Sequence, residues 1–76
     1  MSIEVLFFGR LVEIAGNSIT VAGVQSTDEL LQRLEQDYPK LSTEKYIVAL
    51  NKNMIDSNMP LTAGSTVALL PPYSGG

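Results

Sequence analysis

The residues best placed to do chemistry close the sequence: Leu69-Leu70-Pro71-Pro72-Tyr73-Ser74-Gly75-Gly76. The reactive group at the tip is the α-carboxylate of Gly76. Glycine has no Cβ, so a paired-glycine tip can thread a slot too narrow for any other residue. At about 7% glycine per position, chance places two at the end of a chain in roughly 0.5% of cases. A free carboxylate is a poor acyl donor, so if it is the working group a partner must activate it. The rest of the chain offers no substitute. It has no cysteine, hence no disulfide, thiol nucleophile or thiolate metal site. It has no histidine, which removes the commonest general base and the commonest metal ligand. Most chain ends are simply frayed and solvated. The elements that precede this one decide against that reading.

The sequence has 76 residues, 45% hydrophobic and 17% charged, enough for one small folded domain and not two. Net charge is −3, and the five basic residues, Arg10, Arg33, Lys40, Lys45 and Lys52, are scattered. No basic patch forms, so a nucleic-acid partner is not expected. The longest apolar runs, Val5–Phe8, Ile47–Leu50 and Val67–Leu70, are four residues each, far short of a membrane-spanning helix. The N-terminus lacks the basic stretch and long apolar core of a signal peptide. The expected location is the cytoplasm, with no membrane partner.

The elements follow from pattern. Ile3–Phe8 predicts a strand with Ile3, Val5 and Phe7 on one face and Leu6 and Phe8 on the other with Glu4. A strand apolar on both faces belongs inside a sheet. Gly9 ends it, and Arg10–Ala15 offers at most a short helical turn before Gly16-Asn17. Ser18–Val24 alternates as a half-buried strand, suited to antiparallel pairing with the first. Ser26–Tyr38 predicts the main helix. Ser26 and Glu29 form an S-x-x-E capping box, and Asp28 and Glu29 suit the positive end of the macrodipole. Leu30, Leu31, Leu34 and Tyr38 share one face, and core packing is the commoner role of such a stripe. Pro39 disfavours helical geometry at Tyr38 and stops the helix. Lys40–Glu44 reads as a polar connection.

Tyr46–Leu50 predicts a third strand and Met54–Ile55 a short return after the turn-like Asn51-Lys52-Asn53. Thr62-Ala63-Gly64-Ser65 predicts a tight turn with positive φ at Gly64. Thr66–Leu70 is the last strand, with Val67 and Leu69 on one face and Ala68 and Leu70 on the other. Pro71 and Pro72 lack an N–H and end ladder pairing. The order is β–β–α–β–(short β)–β. One helix covers one face of such a sheet, leaving the other polar or kept for a partner. Phe8, Met54 and Leu70 are the candidates for an apolar patch there, although core burial is the commoner fate for each alone.

This order and the Gly-Gly ending resemble the β-grasp, the ubiquitin-like α+β fold in which a mixed sheet is covered on one face by one main helix. The resemblance narrows on particular motifs. Val5-Leu6-Phe7-Phe8-Gly9, the pair Glu13 and Gly16, the Asn51-Lys52-Asn53 turn, Pro60-Leu61-Thr62 with Gly64 and Val67, and Pro71-Pro72-Tyr73-Ser74-Gly75-Gly76 are similar to the small subunit of molybdopterin synthase. The match runs over essentially the whole chain, and the Pro-Pro-x-Ser-Gly-Gly ending is its specific part. One departure is Val12, where the family often has arginine, so an ion pair with a partner is expected to be missing.

The resemblance implies a β-grasp domain over residues 1–72 and a flexible tail over 73–76. It implies a non-catalytic, sulfur-donating subunit of a two-subunit synthase whose active site lies on the large subunit. An activating enzyme adenylates the Gly76 carboxylate with Mg-ATP, and a sulfur donor converts it to a thiocarboxylate. The large subunit then takes in the tail and sulfur passes to a cyclic pyranopterin, building the dithiolene of molybdopterin. No cofactor or metal is expected on this chain. Gly75 is required for steric reasons. Tyr73 and Ser74 are expected to touch the channel wall. Pro71 and Pro72 stiffen the root and lower the entropy lost on insertion. Phe8, Met54 and Leu70 are the expected partner contacts. Three alternatives stay open: a carrier for thiamine or another thio-compound, although thiamine-pathway carriers usually lack the Pro-Pro; a ubiquitin-like modifier joined through Gly76 to lysines; and an interaction module whose glycines are incidental.

Overall fold

Strand β1 (Ser2–Phe7) takes an interior place in its sheet, as a strand with apolar residues on both faces should. The computed structural model describes residues 2–72. After β1 come a 3₁₀ turn (Gly9–Leu11), helix α1 (Val12–Ala15), β2 (Ser18–Ala22), helix α2 (Thr27–Asp37), a second 3₁₀ segment (Pro39–Thr43), β3 (Ile47–Leu50), β4 (Asn53–Ile55) and β5 (Thr66–Leu70). The sheet order is β2-β1-β5-β3-β4. Strand β1 pairs antiparallel with β2 and parallel with β5, while β3 runs antiparallel to both β5 and β4. This is the expected α+β arrangement with a mixed sheet.

The pleat sorts side chains as the alternation predicts. Ile3, Val5 and Phe7 of β1 and Val67 and Leu69 of β5 are buried, and they share one core with Leu30 and Leu34 of α2. Leu31 and Tyr38 pack at its edge. Leu11, Val24, Leu41 and Leu61 close the core from the connecting segments. Burying a leucine stabilises by roughly 1.5–3 kcal/mol, so these loop leucines matter as much as those of the helix. Leu41 corrects the reading of Lys40–Glu44 as a purely polar connection: Pro39 opens a 3₁₀ segment there that turns Leu41 inward. Strand β2 also stops earlier than expected, at Ala22, because Gly23 takes φ 82 and redirects the chain.

Helix α2 begins where its signals place it. The Glu29 N–H donates to Ser26 Oγ at 3.3 Å, and Glu29 Oε1 accepts from the Gln25 N–H at 3.0 Å. The carboxylate thus reaches one residue further back than a standard capping box. A second cap comes from the loop after β4. Asn58 Oδ1 accepts from the Asp28 N–H at 2.9 Å and from the Thr27 hydroxyl at 3.3 Å, and Thr27 Oγ1 accepts from the Met59 N–H at 2.9 Å. Thr27 is therefore buried with its hydroxyl satisfied on both sides.

Tyr46 ties the start of β3 to the flank of α2. Its phenol donates to Glu35 Oε2 at 2.8 Å. Burial, then the Glu35 carboxylate as acceptor and as charge, hold its pKa well above the usual phenol range. Among the described residues no helix is long and apolar enough to cross a membrane.

Candidate functional site

Strand β5 determines how the chain leaves the sheet. It lies between β1 and β3, with Val67 opposite Val5, Leu69 opposite Phe7, and Leu70 opposite Ile47. The Phe8 N–H donates to the Leu69 carbonyl at 3.1 Å, carrying the β1–β5 pairing one residue past the end of β1. Pro71 follows directly and cannot donate. It lies against Gly9, which has φ 59, and a Cβ built on Gly9 would sit 2.5 Å from Pro71 Cγ. Glycine meets both demands of this position: a left-handed backbone, and no side chain beneath the proline. The root of the tail thus rests on the turn that ends β1.

The face of the sheet opposite α2 is apolar. Strand register sets Leu6, Ala68, Ala49 and Met54 in one row across four strands. The neighbouring row holds Leu70 and Ile47, and continues toward Phe8 at the end of β1. The two alanines make a low floor between larger side chains, so the face is concave, with Pro71 at one end and Asn51 and Lys52 at the other. Phe8 is 44% exposed and Met54 74% exposed, while Leu70 is half-buried. The three apolar residues expected on this face therefore do converge there, next to the point where the tail departs.

Sequence reasoning did not assign Leu6, Ile47, Ala49, Ala68 and Lys52 to the patch. Leu6 was placed on the correct face by alternation. Ile47 and Ala49 lie within an unbroken apolar run, where the pattern cannot say which residues face the helix. Lys52 lies in the Asn51-Lys52-Asn53 stretch, whose pattern indicates a turn and does not say which face its side chains border. Of the expected tail residues, Pro71 and Pro72 are in place at the root. Tyr73, Ser74, Gly75 and Gly76 lie outside the described residues. Val12 is half-buried against the core. Among the described residues, no three His, Cys, Asp or Glu side chains cluster in a way that could hold a metal ion.

The mixed sheet ordered β2-β1-β5-β3-β4 with one main helix on one face is the ubiquitin-like β-grasp. Within that class, the ThiS family model matches residues 5–76, and the chain belongs to the ThiS family. It is 34% identical to the molybdopterin synthase sulfur carrier subunit of Escherichia coli K12, over 97% of this chain and 99% of that one. Among solved structures, it is similar to one of the complex of subunits 1 and 2 of molybdopterin-converting factor from Helicobacter pylori 26695, with a TM-score of 0.78, 34% identity and full coverage of both chains. It is also similar to SAMP1 from Haloferax volcanii, with a TM-score of 0.84, 25% identity and full coverage of both chains.

Proposed function

We propose that this chain is the sulfur-carrier subunit of a molybdopterin synthase. The observation that carries the reading is the 34% identity to the Escherichia coli sulfur carrier subunit over nearly the whole of both chains. The geometry agrees with it. An apolar, concave face suits a large docking partner, and Pro71, the root of the tail, lies at one end of it.

In this reading Gly76 is the working residue. Its carboxylate oxygen attacks the α-phosphate of Mg-ATP on an activating enzyme, giving an acyl-adenylate and pyrophosphate. A persulfide sulfur then displaces AMP, and reduction of the resulting acyl disulfide by a thiol leaves the Gly76 thiocarboxylate. The large subunit receives Gly75 and Gly76 in its active site, with Tyr73 and Ser74 along the channel, and sulfur passes to a cyclic pyranopterin. Phe8, Met54 and Leu70 hold the large subunit while Pro71 and Pro72 aim the tail. The chain supplies no catalytic side chain, and the cytoplasm is its place of work.

Deleting Gly76 tests this division of labour. The shortened chain is expected to bind the large subunit through its intact face and to transfer no sulfur in a reconstituted assay. Sulfur transfer at the full rate by the shortened chain overturns the role of the tail. A second reading, a protein modifier, draws on the likeness to SAMP1. Isopeptide-linked adducts of Gly76 on lysines of other proteins distinguish it.

A further inference from the structure

The turn between β3 and β4 holds Lys52 at φ 74. Leu50 pairs with Asn53, so the turn has two residues, and Asn51 is also left-handed at φ 49. Such turns favour glycine at the second position. Here that position is a lysine, which carries a Cβ that disfavours the left-handed region. Backbone outliers of this kind persist where the surrounding structure over-determines them. The turn is also fixed in place: Asn51 Oδ1 accepts from the Thr66 N–H at 2.9 Å, and the Asn51 N–H donates to the Thr66 carbonyl at 2.8 Å.

That geometry sets Lys52 at the rim of the apolar concavity, as the one charged residue lining it among the described residues. The described ion pairs are Arg10–Glu44 and Arg33–Asp37, and Lys52 is in neither. Glu4 is the acidic residue on this face of the sheet, on β1 two positions before Leu6. The molecule as a whole is acidic, with net charge −3, and four of its eight carboxylates lie on α2 across the sheet. Glu4 is opposite Thr66, which is bonded to Asn51, so it lies at the same end of the sheet as Lys52; of the two, Lys52 lines the concavity and Glu4 does not. Lys52 sits near the start of β5 and Pro71 follows the end of that strand, about 15 Å away at roughly 3.3 Å per residue.

We propose that Lys52 is a specificity-determining contact, pairing with a carboxylate of the protein that docks on this face. This rests on the reading of that protein as the large synthase subunit. A partner covering Leu6, Ala49, Ala68 and Met54 brings its own surface up to the rim, where a carboxylate facing the Lys52 ammonium gains a salt-dependent attraction. A partner with a lysine or arginine opposite it is rejected. The pair and the tail root then register the partner at both ends of the concavity, so that the tail enters in one orientation.

The experiment measures binding of the purified large subunit by calorimetry at low and high salt, together with thermal unfolding of each variant. Lys52→Gly is expected to raise the unfolding midpoint, because glycine suits the turn, while weakening low-salt binding about fivefold and flattening its salt dependence. Lys52→Arg is expected to bind within about twofold of the parent, and Lys52→Glu at least about tenfold more weakly. A Lys52→Gly variant that binds with unchanged affinity and unchanged salt dependence overturns the pair. If Phe8→Asp still disrupts binding in that case, the docking face survives and only the carboxylate contact is lost. Failure of the parent chain to bind the large subunit overturns both.

Discussion

Phe8 and Pro71 are near neighbours that do different work. Pro71 lies against Gly9 and fixes where the tail begins; Phe8 presents an aromatic ring, nearly half exposed, at the same end of the open face. Phe8→Asp is therefore expected to change folding stability by about 1 kcal/mol or less. It should weaken large-subunit binding on the order of thirtyfold or more, the scale of a hot-spot loss. Urea unfolding and calorimetry on the same variant check both halves. Loss of the fold shows instead that Phe8 belongs to the core. Tyr46 permits a pH test. Its folded pKa is raised by burial and by Glu35, so the neutral phenol is the form that the fold favours. Its contribution is whole well below about pH 10, where an unfolded tyrosine is half ionised, and is lost as pH rises from there through the folded value. Tyr46→Phe should cost about 1 kcal/mol near neutrality. Urea unfolding at about pH 8 and about pH 11 should show the gap between parent and variant narrowing; a constant gap contradicts the assignment. The positions of Phe8 and Leu70 were legible because strand alternation extends to the ends of β1 and β5. The Gly9–Pro71 contact was not, because parallel pairing of the first and last strands leaves no local signal in the sequence.

Helix α2 and the β3–β4 turn show how far local pattern reaches. The helix start was legible in Ser26 and Glu29, since a capping box is a contact within one turn. Its second cap was not, because Asn58 arrives from a loop 30 residues beyond Asp28. Asn58→Ala should cost about 1 kcal/mol, the usual price of a lost N-cap. For a domain of this size that lowers the thermal midpoint by about 4–8 °C. Calorimetry of the variant measures it, and an unchanged midpoint shows that Ser26 alone suffices. The end of the helix at Pro39 was likewise legible, while the inward turn of Leu41 was not, since a single apolar residue among polar ones carries no period. The β3–β4 turn was visible as Asn51-Lys52-Asn53, but its tight two-residue form puts Asn53 into β4 and leaves Lys52 strained at the rim.

At the scale of the whole molecule, the two faces of the sheet have different surroundings. One face of the sheet is spent on the core with α2, and the other is left apolar and concave beside the exit of the chain. The order of elements predicts one covered and one open face, since one helix cannot cover both faces of a five-stranded sheet, but leaves open whether the open face is polar or apolar. The width of the open face was harder to read, because it is assembled by register across β1, β5, β3 and β4. The sequence has neither cysteine nor histidine, and in the proposed function the working group is the Gly76 carboxylate. The most direct measurement is the intact mass of the chain after incubation with its activating enzyme, Mg-ATP and a sulfur donor. Exchange of one oxygen for sulfur at Gly76 is the expected result, dependent on ATP and absent when Gly76 is deleted. An unchanged mass, under conditions that convert a known carrier, contradicts the assignment.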